Sequence, residues 1–558
     1  MAYEISPYEF TDEDLEAQPA WFFDKIHFTL ELQYLGIFAA PYQSDIVGHG
    51  TQWGAETISV PGSKGMLWRA YKNLIILTSP IPVTSQDEYK EREAKFRENV
   101  IALMRDFDKV WDGYKSELLA LYKPLKELNF EKATNVELIN KWLELRDACY
   151  RMSEIHFYMM YGVFHTYVLF GELCKELFGI DSSSREFTKM VSGFDNKSFE
   201  SERELWRLSR RALELGLGDA FQRKSDEVAP KLRESENGRK WLGELDEYLD
   251  EYGWRCLICW LPSTPSWRDD PCYVIEKIKN YLTLAEFSQP ETLKRQAEER
   301  ERVLREFSPR VPEDKKELFN LLLTGAQHAS MFSEEHDLYC EMQTDGLLRH
   351  YLLEFGRRFT EAGSIDKQND IFNLGFDEIT KMGICPERYR MQSLIEKRRA
   401  MQTEFLKEEL PIAISKTMSE MESVNWLSKI ADPLITHVIV GELPKPKPEL
   451  KADLVGAPGA PGIAEGRARV VTQEHQLTEV QPGEILVCPT TTISWTPIFA
   501  VVKGVVTDRG GTLSHAAIVS REYGIPCIVN TLVGSFTIKP GQRIRIDGGE
   551  GAVYILGK

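Results

Sequence analysis

The chain has 558 residues, a formal net charge of −18, 42% hydrophobic residues and 28% charged residues. That length exceeds one ordinary core, so several domains, or one large and one small, are expected of a globular protein of this composition. The acidic balance argues against nucleic acid and anionic membrane surfaces as partners.

In chain order, the opening segment Met1–Glu16 is acidic and lacks the basic-then-apolar pattern of a secretory leader. Residues 1 to about 440 carry Leu, Glu, Lys, Arg and aromatic residues at helical spacing. Ser85 is placed to cap a helix reaching about Tyr122, before Pro124, with Glu88 completing a capping box. Asn135 is placed to cap another helix reaching Leu177. Its most apolar part, Ile155–Phe170, is too short and too polar to span a bilayer, because it holds His156, His165 and several tyrosines, so it reads as a buried helix. Further helical periodicity covers 198–216, 237–252, 288–306, 312–330 and 393–422, and the charged run Glu291–Glu306 reads as a solvated face. The nine cysteines are scattered and odd in number, which suggests reduced thiols and a cytoplasmic location. Cys256 and Cys259 have metal-like spacing, but no second pair follows, so a core role is expected and no metal site is assigned.

Leu443–Leu450 has three prolines at alternate positions, the composition of a stiff, extended linker. Beyond it the texture changes to short strand-like runs, Gly466–Thr472, Glu484–Cys488, Gly504–Thr507, Cys527–Val529 and Arg543–Ile546, with one helical run, Ser514–Tyr523. The expected fold class is α+β multidomain: a large helical domain over 1–440, a Pro-rich linker over 441–452, and a small α/β domain over 453–558.

The segment from Thr507 to Pro526 carries the chemistry. A strand ends at Thr507, Gly510 and Gly511 permit a tight loop with positive φ, Ser514 caps a helix, and His515 stands in its first turn. Gly524 ends the helix and Pro526 prevents its continuation. A helix N-terminus favours an anion, and a neutral imidazole can attack phosphorus. The resulting phosphohistidine would lie near free amides and the hydroxyls of Thr512 and Ser514. Asp508 and Arg509 precede this loop, either to contact phosphates or a partner, or only to fix the turn.

This segment, with Gly459–Ala464, Glu465–Val470 and Asp547-Gly548-Gly549, resembles the swivelling phosphohistidine domain of the PEP-utilising enzymes, the family of phosphoenolpyruvate synthase, pyruvate phosphate dikinase and rifampicin phosphotransferase. The resemblance implies that His515 is phosphorylated and that its domain swings on the linker between two sites. Only 43 residues follow His515, too few for the barrel of the members that make phosphoenolpyruvate. The helical texture before it lacks the glycine-rich loop and strand series of an ATP-grasp domain.

The helical part resembles the acceptor domain of rifampicin phosphotransferase and phenylphosphate synthase in Trp21–His27, Tyr252-Gly-Trp-Arg255, Ser266–Pro271, Glu334-Glu-His336, Gly346–Arg349 and Glu354–Arg358, with Trp254 standing where the family has histidine. The layout is most similar to the histidine-bearing subunit of phenylphosphate synthase. That implies a separate ATP-grasp subunit, which binds ATP and Mg²⁺ and places the β-phosphoryl on His515, and a phenolic acceptor. A phenol must lose a proton, and the phosphoryl group needs cations. His336 and Glu335 are the base candidates. Arg349 and Arg357, eight apart and so roughly 80° around a helix, are placed to reach one pocket. Tyr339 and Arg268 are further substrate-binding candidates. Three alternatives stay open: another hydroxyl acceptor, such as an antibiotic or natural product; a non-catalytic binding protein with a silent histidine domain; and a complete kinase with its own nucleotide site in the N-terminal half.

Overall fold

The computed structural model describes residues 8–23, 36–180, 182, 184–256, 261–283, 289–408, 410–430, 451–472, 474–491, 495–512 and 514–556. The Pro-rich stretch Leu443–Leu450, Cys259 and the end of the Trp21–His27 motif lie outside the described residues. Two compact units form. One comprises Met1–Thr166, Trp260–Ser263 and Tyr339–Gly441, and the other Tyr167–Cys259, Thr264–Leu338 and Glu442–Lys558. The units therefore cut across the sequence division at 440: the helices of 167–338 pack with the C-terminal segment. No helix among the described residues is long and apolar enough to cross a membrane.

The first unit is mostly helical, and its helix ends show how local chemistry sets boundaries. Ser85 does cap the helix Gln86–Arg105, accepting from the Glu88 amide. The expected reciprocal bond is absent from that cap, because the Glu88 carboxylate pairs with Lys64 at 2.6 Å. The helix also stops earlier than the periodicity suggests. Asp106 leaves helical geometry at φ −116° and ψ 23°, and a second helix, Phe107–Lys126, continues through Pro124. Thr134, not Asn135, caps the 44-residue helix Asn135–Phe178. Its hydroxyl accepts from the Glu137 amide at 3.2 Å while Glu137 accepts from the Thr134 amide at 2.7 Å, a complete capping box. Asn135 instead bridges Arg358 and the Ile384 carbonyl.

A four-stranded antiparallel sheet in this unit was not expected from the helical texture. Its order is Ser63–Tyr71, Ile75–Pro82, Trp21–Phe23, Ala413–Ile414. Lys72 and Asn73, both at φ 53°, make the turn of its hairpin, the conformation that matches strand twist. The 393–422 periodicity divides accordingly into the helix Gln392–Phe405, the strand Ala413–Ile414 and the helix Glu420–Ile430.

The C-terminal part of the second unit holds an eight-stranded mixed sheet. All five expected strands are present, joined by Leu454–Val455, Ala457–Ala460 and Ala552–Ile555. The central strands Ile463–Val470, Ile485–Cys488, Gly504–Thr507 and Cys527–Val529 run parallel to one another. Ala468, Ile485, Val487, Val506, Ile528 and Ile546 fill the core beneath them. The register pairs Cys488 with Thr507, so the loops that leave these two strands emerge side by side at the carboxyl edge. Open parallel sheets present their functional loops at that edge.

Gly548 is fixed by crowding: a Cβ there would lie 2.0 Å from the Ala460 carbonyl oxygen and 2.9 Å from the Cys527 amide. At the adjacent Gly549, the nearest atom is a carboxylate oxygen at 3.5 Å. Gly548→Ala is expected to destabilise the protein by about 3 kcal/mol and Gly549→Ala by less than about 0.5 kcal/mol, measured by urea unfolding. Equal effects would contradict the packing described.

Candidate active site around His515

His515 opens the helix His515–Tyr523, which ends at Gly524 in the left-handed conformation, φ 67°. Ser514 occupies the N-cap position, but its hydroxyl donates to the Gly511 carbonyl at 2.8 Å and does not accept from the helix. The expected capping role is thereby corrected: Ser514 closes the glycine loop. Gly510 takes φ +115°, and a Cβ there would come within 2.8 Å of Ser514 Oγ. Gly511 does not share that positive φ. Thr512 is buried, and its carbonyl accepts from Arg521 Nη2 at 2.6 Å. Asp508 is spent on the structure, accepting from the Ser535 amide at 2.8 Å and from the Thr531 and Ser535 hydroxyls. Of the roles open to it, fixing the turn is the one its contacts support.

The neighbouring loop contributes a residue that sequence reasoning missed. Thr491 Oγ1 lies 2.9 Å from His515 Nδ1. A proton on Nδ1 donated to Thr491 leaves the lone pair on Nε2, the nitrogen that can attack phosphorus. Phe499 stands edge-on to the imidazole at 5.6 Å. The signal for Thr491 was the threonine run Thr490–Thr492 directly after a strand. The ring keeps part of its surface open. The surrounding mass, and then the charge of Arg255, push its pKa from 6.5 down to about 3. A neutral imidazole at physiological pH is what a nucleophile requires.

The far end of the helix His515–Tyr523 is tied to the strand Ala457–Ala460 and to residues of 167–338. Arg521 donates to the Gly459 carbonyl, Glu522 accepts from the Gly193 amide at 3.1 Å, and the Tyr523 hydroxyl donates to Glu202. Gln296, on the helix Gln289–Phe307, donates to the carbonyls of Arg521 and Glu522. Behind Tyr523 lies a buried polar group of Ser198, Glu202, Arg255, Lys277 and Glu334. Burial pushes the carboxyls of Glu202 and Glu334 up and the Lys277 ammonium down.

The remaining sequence candidates do not converge. His336 is buried in its own helix, with Nδ1 2.8 Å from the Phe332 carbonyl and Nε2 3.0 Å from Asp337, and burial lowers its pKa to about 4. Glu335 is half-buried beside it. Arg268 is exposed, pairs with Asp250 and lies over Trp254. These three belong to the unit of His515, whereas Tyr339, Arg349 and Arg357 belong to the other. The expectation that both arginines reach one pocket is not met. Arg349 donates to the carbonyls of Pro262 and Ser263, while Arg357 is taken up by Glu354 and Glu361. Tyr339 packs edge-on to Trp111, under Lys115. That unit also holds a small cavity lined by Tyr42, Cys149, Ser153, His156, Glu341 and Asp345. Its free space of about 20 Å³ is enough for one water and too small for an aromatic ring.

Comparison with known proteins adds to this geometry. A family model for the rifampicin phosphotransferase fourth domain matches residues 154–334, and one for the mobile domain of PEP-utilising enzymes matches 480–551, which includes His515. Chondramide synthase cmdD of Chondromyces crocatus is 32% identical over 496 residues, 86% of this chain and 12% of its own length. The uncharacterized phosphotransferase YvkC of Bacillus subtilis is 26% identical over 452 residues, 80% of this chain and 53% of its own. Rifampicin phosphotransferase of Bacillus subtilis is 28% identical over 339 residues, 60% of this chain and 36% of its own. The chain thus spans about half, or less, of the length of these relatives.

The unfolded chain binds a proton on His515 near pH 6.5, but the folded chain excludes it down to about pH 3. The stability this site contributes is therefore lost as pH falls through that window. Relative to His515→Gln, the wild type should lose about 1 kcal/mol between pH 7 and pH 5 in urea unfolding, less than full linkage because the ring is partly open to solvent. Parallel pH dependence in the two proteins would contradict a neutral, shielded imidazole.

Proposed function

Because the chain belongs to the PEP-utilising phosphohistidine-domain family and is rifampicin phosphotransferase-like, we propose that it is an ATP-dependent phosphotransferase component that carries the β-phosphoryl of ATP on His515 Nε2 and delivers it to a hydroxyl acceptor. The observation that carries this reading is the held, neutral imidazole: Thr491 at Nδ1, a helix N-terminus beneath it, and a glycine loop closed by Ser514.

The chemistry balances on these groups. Nε2 attacks the β-phosphorus and the α–β P–O bond breaks to release AMP; a water then cleaves the β–γ P–O bond to release phosphate, and the imidazole N–H proton is lost to solvent. In the second half, the acceptor oxygen attacks phosphorus, and the P–N bond breaks with its electron pair returning to the ring. The hydroxyl proton ends on the imidazole, which regenerates the starting state.

The acceptor we assign is a phenol, giving an aryl phosphate, with AMP and phosphate as the nucleotide products. Support comes from the sequence likeness to the histidine-bearing subunit of phenylphosphate synthase. ATP and Mg²⁺ are assigned to a separate ATP-grasp subunit. Asp508, the carboxylate of the catalytic loop, is occupied by Ser535 and Thr531 and does not suit a metal-bound nucleotide. The donor and acceptor then meet His515 in turn, by movement of its domain on the Pro-rich segment. A second reading, an antibiotic hydroxyl as acceptor, is favoured by the likeness to rifampicin phosphotransferase.

The test mixes this chain with an ATP-grasp subunit, Mg²⁺ and ATP labelled at the β position. Acid-labile label on the wild type, absent from His515→Ala and discharged by phenol, is the expected result. Discharge by rifampicin and not by phenol would favour the second reading, and no label in any mixture would overturn the carrier role.

A further inference from the structure

Arg255 follows the helix Glu236–Tyr252 and is only 2% exposed. Its backbone is pinned: the Arg255 carbonyl accepts from the Trp267 amide at 3.0 Å, and Cys256 bridges to Ser266. The guanidinium lies over the rings of Trp267 and Tyr252, at 5.1 and 5.7 Å. Among the described residues no carboxylate pairs with it. Nη1 makes one long contact, 3.5 Å to Ser201 Oγ, while Nε and Nη2 are buried without an acceptor among the described residues.

Burying a guanidinium without an anion is costly, and leaving two of its donors unused adds to that cost. Cation–π contact offsets part of it and fixes the plane of the group. The carboxyls of Glu202 and Glu334 feel its charge, but burial favours their neutral forms, and each keeps one oxygen without a hydrogen-bond partner among the described residues. The side chain is thus held in place by two rings and, among the described residues, short of an anion.

Two adjacent residues, Ser201 and Glu202, link Arg255 to the helix that opens on His515. Tyr523, two turns after His515, donates to Glu202, the neighbour of Ser201, which contacts Arg255. The charge of Arg255 reaches the His515 ring and helps to keep the imidazole unprotonated.

We propose that Arg255 grips the phosphoryl group as it moves on and off His515, with Nε and Nη2 donating to two of its oxygens. The inference rests on the carrier reading above. Arg255 is chemically unchanged in the step. When the P–Nε2 bond forms, the donor's bond to phosphorus breaks and the imidazole proton is lost to solvent, while the guanidinium covers the charge on the equatorial oxygens. A planar fork suits two phosphoryl oxygens at once, which an ammonium does not.

Radiolabelled phosphoramidate tests this with the full chain alone, since it donates phosphoryl to imidazole and releases ammonia. The initial rate of acid-labile labelling is compared for wild type, Arg255→Gln and Arg255→Lys. Labelling about 100-fold slower in Arg255→Gln, and about 10-fold slower in Arg255→Lys, is expected. If the glutamine variant fails to fold, as judged by circular dichroism, the lysine variant decides alone. Wild-type label with unchanged rates in the folded variants would overturn the role of Arg255 and leave the carrier reading standing. No label on the wild type would overturn the carrier reading, and this inference with it.

Discussion

The nine-residue helix that opens on His515 is held from its other end, and that anchorage is buried and polar. Arg521, Glu522 and Tyr523 each spend a charge or a hydroxyl on groups outside the helix: the Gly459 carbonyl, the Gly193 amide and the Glu202 carboxylate. Apolar packing alone would hold such a helix in place without fixing its rotation. Directional bonds at three successive residues set the rotation, and with it the direction in which His515 projects.

The same anchorage has an electrostatic consequence. It sets the carrier helix against helices that bury Arg255, Glu202, Lys277 and Glu334. In such surroundings proton affinities shift toward the neutral forms. For His515 that shift, reinforced by Arg255, favours the neutral ring, whose Nδ1 lies 2.9 Å from Thr491 Oγ1. The sheet supports this with one register. Pairing Cys488 with Thr507 brings the threonine loop and the glycine loop to the same edge, so two segments distant in sequence share one imidazole.

Much of the region around His515 was legible in the sequence, because its grammar is local. Gly510 must turn with positive φ, the helix must begin at Ser514 and end at Gly524, and short β-branched runs must make strands. Boundaries failed where a competing partner lay far away. Glu88 chose Lys64 over its own cap, and Asn135 bridges Arg358 and Ile384, leaving Thr134 to cap. The acceptor side was less legible for the same reason. A helical wheel places Arg349 and Arg357 on one face, but the carbonyls at 262–263 and the carboxylates of Glu354 and Glu361 claim them. Arg255 stood inside a recognised motif, yet nothing local distinguishes a buried arginine without an anion from one in an ion pair. That difference exists only once the fold has decided what surrounds it.

In the proposed reaction the phosphoryl group resides on one atom, Nε2 of His515. The most direct measurement is phosphorus–nitrogen correlation by NMR on the full chain, labelled with ¹⁵N at histidine and charged with phosphoryl. A single phosphohistidine, coupled through Nε2 and absent from His515→Ala, is the expected result. Coupling through Nδ1, or phosphorus on any other residue, would contradict it.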